Sequence, residues 1–234
     1  MPEISYVGSE LEVFAHANNW KRYVRSQIEP YLTGAVLEVG AGIGSNTLSY
    51  IAGSHNRWLC LEPDSQLAAC IKSNPALTAC QVMVGTVADL PAEERFDAIL
   101  YMDVLEHIAD DAVELRRSAA HLKPGGHLIV VAPAHQWLFT PFDRAIGHYR
   151  RYNAAMLRRT GPPGMHLERL RYLDTAGVCA SLGNRLLLSS ASPTVRQIQT
   201  WDRFFVPVSR ILDPLLGYKA GKSIVAVWRM PDGG

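Results

Sequence analysis

The sequence predicts an α/β fold built on a doubly wound, mostly parallel sheet of seven strands, with helices on both faces. Short apolar runs, typical of strands buried on both faces, alternate along the chain with apolar residues at helical spacing. A chain of 234 residues is also long enough to bury the core of one such domain. The predicted strands are Val36–Val39, Arg57–Leu61, Gln81–Val84, Phe96–Tyr101, His127–Ala132, Leu167–Leu173 and Ser223–Trp228.

The first strand leads directly into three glycines at alternate positions, Gly40, Gly42 and Gly44. Glycine lets the backbone turn sharply and approach a ligand more closely than a Cβ atom would allow. Ser45 or Asn46 is placed to cap a following helix, whose first N–H groups lack partners within the helix. These features indicate a nucleotide-type pocket. The dinucleotide fingerprint G-x-G-x-x-G has its third glycine one residue later, which disfavours a nicotinamide or flavin cofactor.

An acidic residue follows the second strand. Glu62 lies about 20 positions beyond the first glycine of the loop, where nucleotide-binding sheets place a carboxylate that accepts hydrogen bonds from a ribose diol. The carboxyl ends of neighbouring parallel strands meet at one edge of the sheet. The sequence therefore predicts that Glu62 binds a ribose beside the glycine loop.

Three further segments follow in order: 85–91 after the third strand, D-V-L-E-H at 103–107 after the fourth, and L-K-P-G-G at 122–126 before the fifth. With the glycine loop, they resemble the class I S-adenosylmethionine-dependent methyltransferases over roughly residues 35–133. The resemblance implies a Rossmann-like fold, S-adenosyl-L-methionine as cofactor and S-adenosyl-L-homocysteine as product. It implies that the cofactor-binding residues are Glu38, Gly40, Ala41, Gly42, Asn46, Glu62, Pro63, Thr86, Val87, Asp103, Val104, His107 and, from the N-terminal segment, Asn19.

Thr86 departs from this resemblance. Many members have an aspartate there, which accepts a hydrogen bond from the adenine amino group, whereas Thr86 accepts one only as a neutral group. Asp89 is the nearest acidic alternative, although its position before Pro91 is also typical of a turn residue. The resemblance further implies that Asp103 contacts the cofactor's amino group or the substrate, and that His107 packs on the cofactor side rather than acting as a base.

The chain is expected to form one domain, 1–234, which has four parts. A helical cap (1–33) precedes the cofactor-binding core (34–133), and Val13 to Trp20 within the cap either closes over the cofactor or packs against the sheet edge. A substrate loop (134–165) follows the core. A helical insertion (175–220) then precedes the last strand, and it either roofs the pocket, forms a dimer contact or extends the core.

The substrate loop contains D-x-x-x-G-H-x-R-R-Y, from Asp143 to Tyr152, and resembles a bacterial branch of the methyltransferases. A hydroxyl acceptor loses a proton during methyl transfer, and histidine is the side chain that titrates near neutral pH. His148 is therefore the candidate catalytic base, and Asp143 either orients it or holds substrate. The alternative is a structural His–Asp–Arg network that braces the loop.

The same loop supplies four candidate substrate-binding residues: Trp137, Tyr149, Arg150 and Arg151. A guanidinium group can bind a carboxylate or phosphate of the acceptor through two hydrogen bonds. Adjacent side chains on an extended backbone point in opposite directions, so at most one of the two arginines is expected to face the pocket.

Composition limits the partners and the compartment. The formal net charge of +1 gives no overall attraction for nucleic acid or an anionic membrane, and no apolar run approaches the ~20 residues of a membrane span. Neither a signal peptide nor a C-x-x-C pair is found, and Cys60 and Cys179 are expected to be buried thiols in a cytoplasmic protein. The remaining histidines show no metal-ligand spacing, so no metal is predicted.

The predicted function is methyl transfer from S-adenosylmethionine to an oxygen or nitrogen of a small-molecule metabolite, by a monomer or homodimer without nucleic-acid or membrane partners. Two alternatives remain open. One is methylation of RNA or protein, which the balanced charge disfavours. The other is a non-catalytic regulatory subunit that binds the cofactor.

Overall fold

A computed structural model describes Tyr6, Gly8 and residues 10–51, 53, 55–187 and 193–233; for residues 182–187 it describes the helical backbone alone. The sheet in this part of the chain has seven strands, which confirms the predicted architecture. They are β1 Gly34–Val39, β2 His55–Glu62, β3 Gln81–Val84, β4 Phe96–Met102, β5 Leu122–Pro133, β6 His166–Leu173 and β7 Ser223–Arg229.

The strand order across the sheet is β3-β2-β1-β4-β5-β7-β6. Strands β1 to β5 pair in parallel, whereas β7 runs antiparallel to both β5 and β6. The chain proceeds outward from β1 to β3 and then crosses back to β4 on the other side of β1. The direction of winding therefore changes between β1 and β4, and ligands bind at the carboxyl ends of strands at such a switch point.

Helices cover both faces of the sheet. The described α-helices are α1 Glu10–Phe14, α2 Asn18–Ile28, α3 Thr47–Tyr50, α4 Ser65–Ser73, α5 Asp111–Ala119, α6 Pro141–Ala145, α7 Ala154–Thr160, α8 Thr175–Leu187, α9 Val195–Thr200 and α10 Val206–Leu215. A π-helical turn, 201–205, joins α9 to α10.

Two apolar clusters form the core, one on each face of the sheet. Because side chains alternate along a strand, Val36 belongs to the cluster that contains Trp20 of α2, whereas Leu37 belongs to the cluster that contains Leu115 of α5 and Leu157 of α7. The first cluster also includes Trp201 and the start of α10, so the helical insertion lies on the same face as α2. The second face carries α5 and α7.

Buried aspartates attach the insertion to the rest of the fold. Asp213 of α10 accepts hydrogen bonds from the Tyr23 hydroxyl and the Asp174 N–H group, both at 2.7 Å. Asp202 accepts from the backbone N–H groups of Asn19 and Trp20, at 3.0 and 2.8 Å. Each of these carboxylates is almost fully buried and hydrogen-bonded, as the cost of desolvation requires. The insertion is thus fixed to α2 and to the end of β6.

Some local expectations differ from the structure. Strand β5 begins at Leu122 rather than His127. Leu122 already pairs with β4, and the expected turn, in which Gly125 has a φ of +74°, forms an irregularity within the strand. Helix α3 has only four residues, and Asn46 at its N-cap position makes no side-chain capping bond. The prediction that a side chain caps the helix behind the glycine loop is therefore wrong. Cys60 is buried as expected, but Cys179 is exposed on α8.

Within the described residues, every helix is too short or too polar to cross a membrane.

Candidate functional site

A cavity of about 1160 Å³ lies at the carboxyl ends of β1, β2 and β4. The glycine loop after β1 and Glu62 at the end of β2 form one side of it. Leu11 and Phe14 of α1 cover it from the N-terminal segment, and residues of the insertion such as Ile198 complete the wall. Parts of the N-terminal cap and of the helical insertion therefore both line the cavity.

The glycine loop has a backbone that other residues would strain. Gly40, Gly42 and Gly44 have φ values of +67°, +57° and +77°, in the left-handed region that favours glycine. A Cβ atom at Gly40 would lie 2.7 Å from Cγ2 of Val104, and one at Gly44 would lie 2.5 Å from Cδ1 of Leu77. The loop therefore packs closely against Val104 after β4 and against Leu77 after α4, and its backbone forms part of the cavity surface.

Glu62 lies in the cavity wall and is 5% exposed. Its carboxylate accepts hydrogen bonds from the N–H groups of Gly42, at 2.7 Å, and Asp64, at 3.0 Å. Burial raises the pKa of Glu62, and these two backbone donors act against the rise. Among the described residues, no basic side chain forms an ion pair with this carboxylate, so its remaining lone pairs can accept from neutral hydroxyl groups.

Glu38 has a different position. It is 1% exposed and does not line the cavity. Its carboxylate accepts hydrogen bonds from the Thr47 hydroxyl, at 2.6 Å, and from the Trp58 indole, at 2.9 Å. Burial raises its pKa to about 7. Glu38 thus supports the glycine loop from behind, with no contact to the cavity.

The loop after β3 places Thr86 in the cavity wall and Val87 in the core beneath it. The hydroxyl and N–H groups of Thr86 both donate to Asp89, at 2.8 Å. These bonds form a capping box over a short 3₁₀ turn. Asp89 therefore has the geometry of the turn residue, and the Thr86 oxygen keeps lone pairs for an external donor.

Asp103 follows β4 with a φ of +54°, and its N–H group donates to the carbonyl of Val131 at 2.9 Å. Its carboxylate is open to the cavity but lies deep within the fold, and this burial raises its pKa to about 6. The charges of His148, Lys222 and Arg151 act against the rise. Asp103 is thus positioned to accept a hydrogen bond from a cationic group in the cavity.

On the opposite side of the cavity, Asp143 is the centre of a hydrogen-bonded network. Arg151 binds its two oxygen atoms at 2.8 and 2.9 Å, and Thr140 donates to it through N–H and hydroxyl, both at 2.7 Å. The Nδ1 atom of His148 lies 3.1 Å from it. Burial alone would raise the pKa of Asp143, but the hydrogen bonds from His148 and Arg151 hold it well below its usual range. With its oxygen atoms so occupied, Asp143 orients His148 and Arg151.

The other ring nitrogen of His148 faces a carboxylate. Its Nε2 atom lies 3.9 Å from Glu106, which is fully buried. Neither oxygen of Glu106 has a hydrogen-bond partner among the described residues, and burial raises its pKa well above the ordinary value. Potential ligand atoms of Glu106, His107 and His148 lie within 4.8 Å of one another, and the expectation of no metal stays a prediction.

His107 packs edge-on against His148, with ring centroids 4.5 Å apart, and also lies near the Tyr6 ring. Burial, together with the charge of the neighbouring His148, lowers the pKa of His107 to about 4. His107 is therefore neutral at pH 7 and lines the cavity, and its packing on the cofactor side stays a prediction.

The remaining candidates divide between the cavity and other positions. Arg150 lies outside the cavity, in an ion pair with Asp111 at 2.7 Å, so one arginine of the pair faces the cavity as expected. Trp137 and Asn19 are also outside the lining, and the Asn19 side chain donates to the Asp202 carbonyl at 3.0 Å. The other candidates all line the cavity wall: Ala41, Asn46, Pro63, Val104, Tyr149 and Arg151.

Several cavity residues were not found from the sequence. Lys222 immediately precedes β7 and lies over the Trp201 ring, with Nζ 4.4 Å from its centroid. Glu10 and Tyr6 pair in the N-terminal segment. The position of Lys222 depends on the order of the strands and on how the insertion folds back, and no motif signals any of these three residues. Glu106 lies within the D-V-L-E-H motif. Its charge between apolar residues could have marked it as a buried acid near the cavity.

Residues 37–130 match a family model described as a methyltransferase domain. The chain is similar to the ubiquinone biosynthesis O-methyltransferase of Xanthomonas axonopodis pv. citri, with 36% identity over 122 residues, which are 49% of this chain and 50% of that protein. Curated relatives of this name from Nitrobacter winogradskyi and Bradyrhizobium diazoefficiens are matched over 20% and 41% of their length. The chain thus spans half or less of these relatives.

Two solved structures show the same fold. The N-methyltransferase NodS from Bradyrhizobium japonicum, in complex with S-adenosyl-L-homocysteine, has a TM-score of 0.57 at 13% identity, over 90% of this chain and 85% of that one. The [4+2]-cyclase SpnF has a TM-score of 0.59 at 17% identity, over 91% and 81%. At such identities the likeness concerns the fold alone.

Residues 37–130 are thus similar to a methyltransferase domain, and the chain shares its α/β fold with these solved structures.

Proposed function

We propose that this protein transfers the methyl group of S-adenosylmethionine to an oxygen or nitrogen atom of a small-molecule metabolite. The observation that carries the proposal is the placement of Glu62. Its buried carboxylate lines the cavity directly beside the glycine loop and has no cationic partner in the described part of the chain. The names of the curated relatives support O-methylation of a small molecule.

The residues around Glu62 fit the proposed cofactor. The absence of a Cβ atom lets Gly40 pack against Val104 and Gly42 against Leu11, which also line the cavity, and Glu62 would accept from the ribose hydroxyls. Thr86 would accept from the adenine amino group, and Asp103 would accept from the ammonium group. When bound, S-adenosylmethionine supplies a methyl group already activated by its sulfonium centre.

The acceptor would lie on the side of the cavity formed by His148, Tyr149 and Arg151. Because Asp143 holds Nδ1 of His148, the Nε2 atom is the one available to take a proton from the acceptor. The neutral His107 beside it does not compete for that proton at pH 7. The protein's contribution is to position the acceptor and exclude water, which α1 and the insertion help to do by covering the cavity.

The test has two parts. Calorimetry with S-adenosylhomocysteine should show binding to the purified chain, and incubation with methyl-labelled S-adenosylmethionine and a metabolite extract should transfer label to a small molecule. Cofactor binding without transfer to any metabolite would favour a regulatory role. Label in added RNA or protein instead would favour a macromolecular acceptor, and lack of binding would contradict the proposal altogether.

A further inference from the structure

The outer side of the helical insertion carries a stripe of large apolar side chains. Phe204, Val208, Ile211 and Leu215 recur at intervals of four, three and four residues, which places them on one face along the helix. They are 60%, 47%, 65% and 76% exposed. We refer to these four residues as the apolar stripe. Scattered exposed apolar residues are ordinary, but a continuous stripe of this kind is typical of an interaction surface.

The orientation of this stripe is fixed by contacts on the opposite side of α10. Val206, Ser209 and Asp213 are fully buried there. The Ser209 hydroxyl accepts from the Ala176 N–H group at 3.1 Å, and Asp213 accepts from Tyr23 at 2.7 Å. Rotation of the helix to bury the stripe would remove these polar groups from their partners. The apolar stripe is therefore held outward by the fold.

The charges around the stripe have one sign. Residues 193–221, all of which the structure describes, contain two acids and four cations. Both acids, Asp202 and Asp213, are buried and hydrogen-bonded. The cations are all exposed: Arg196, Arg203, Arg210 and Lys219. The exposed charge of this segment is thus +4, which the formal net charge of +1 for the whole chain conceals.

We propose that the apolar stripe and its flanking cations dock onto the anionic phospholipid surface of a membrane, with α10 lying in the plane of the interface. Helices that bind in this way combine an apolar face with basic residues, and they bind through buried apolar area together with attraction to anionic lipids. A second copy of this chain fits the surface less well, because pairing two such faces would bring the exposed cations together. This inference revises the expectation of no membrane partner, which rested on total charge and span length.

The docking surface and the cavity belong to the same segment. Ile198 and Trp201, on the inner side of the insertion, line the cavity. A membrane bound to the outer side would therefore lie next to the roof of the site. The inference stands independently of methyl transfer, since it concerns a surface outside the cavity.

The direct test is sedimentation of the full chain with vesicles containing equal parts of phosphatidylglycerol and phosphatidylcholine, compared with pure phosphatidylcholine. We expect binding to the anionic vesicles that weakens as salt is added, and little binding to the neutral ones. Leu215→Glu should weaken binding by roughly tenfold or more, because it places a carboxylate in the interface. Val113→Glu is the matched control, since Val113 is an exposed apolar residue on α5, on the other face of the sheet.

A second pair of variants tests the charges. Arg203→Gln with Arg210→Gln should reduce binding about 25-fold, since each cation near an anionic surface contributes about a fivefold factor. Arg158→Gln with Arg159→Gln on α7 removes the same charge from the other face and should leave binding unchanged.

Several outcomes would overturn the inference. They are equal binding to both vesicle types, no binding to the anionic vesicles, or full binding by Leu215→Glu. A dimer in light scattering that Leu215→Glu dissociates, without vesicle binding by the wild type, would assign the surface to a second copy. Because cofactor affinity can be measured on the same variants in solution, a failed vesicle assay leaves the proposed methyl transfer untouched.

Discussion

The Nε2 atom of His148 lies 3.9 Å from the carboxylate of Glu106, a fully buried side chain whose oxygen atoms have no hydrogen-bond partner among the described residues. Burial raises the pKa of Glu106 well above its ordinary value, so the folded protein favours its neutral form. His148, a potential proton acceptor, thus lies next to the buried acid Glu106 at the edge of the cavity.

Glu106→Gln should therefore stabilise the protein at alkaline pH. The folded-state pKa of Glu106 lies above the unfolded value of 4.5, so its contribution to stability is lost as pH rises above that value toward the folded pKa. The free energy of unfolding, measured by urea titration, should be higher in the variant than in the wild type at pH 8 and similar at pH 4. Glu93→Gln, at an exposed position, is the control. A less stable variant at pH 8 would indicate that ionised Glu106 is stabilised by His148.

Glu62→Ala should weaken binding of S-adenosylhomocysteine by ~1.5–3 kcal/mol, the usual range for loss of hydrogen bonds to a charged group. The variant also removes the acceptor of the Gly42 N–H group, so Glu62→Gln, which retains an acceptor oxygen, should show a smaller loss. Calorimetry measures both, with Glu93→Gln again as the control. Unchanged affinity in Glu62→Ala would remove Glu62 from the site.

Gly40→Ala should destabilise the fold by more than backbone strain alone. Its left-handed φ costs about 1–3 kcal/mol for a residue with a side chain, and its Cβ would also lie 2.7 Å from Val104. Gly164→Ala is a matched control, because Gly164 has a φ of +83° and its Cβ would meet no described atom within 4 Å. Thermal unfolding of the two variants should therefore show the larger loss in Gly40→Ala. Equal losses would mean that the Val104 contact relaxes at no cost.

His148→Gln should lower the rate of methyl transfer by roughly 10²-fold or more if His148 is the base, with little change in cofactor affinity. The measurement is single-turnover transfer to the acceptor identified by labelling, alongside calorimetry with S-adenosylhomocysteine. Full activity in this variant would instead support a network in which His148, Asp143 and Arg151 only brace the loop. Arg158→Gln on α7 is a control that leaves the network intact.

The sequence predicted the elements that depend on local patterns. Strand β3 has the expected bounds, Gln81–Val84, because a short apolar run between polar turns specifies a strand. The position of Glu62 beside Gly42 followed from the rule that parallel strands end at one edge.

The rest of the site depends on contacts between residues far apart in the sequence. Asn19 binds Asp202, which is 183 residues away, and no local pattern reveals that partner. Lys222 reaches the cavity because β7 inserts between β5 and β6, a topology that the strand pattern leaves open. The directions of side chains in the irregular substrate loop also could not be predicted from local patterns. Trp137 and Arg151 were both candidates for substrate binding, but only Arg151 of these two lines the cavity.

The two N–H groups that hold Glu62 fix its rotamer before any ligand arrives. The carboxylate is thus preorganised, and little side-chain entropy remains to be lost there on binding. The five-residue helix α1 covers the cavity and is too short to be stable alone, so a larger ordering cost is expected there. Differences in ligand affinity among related chains should therefore arise more from the sequence of α1 than from the geometry of the Glu62 carboxylate.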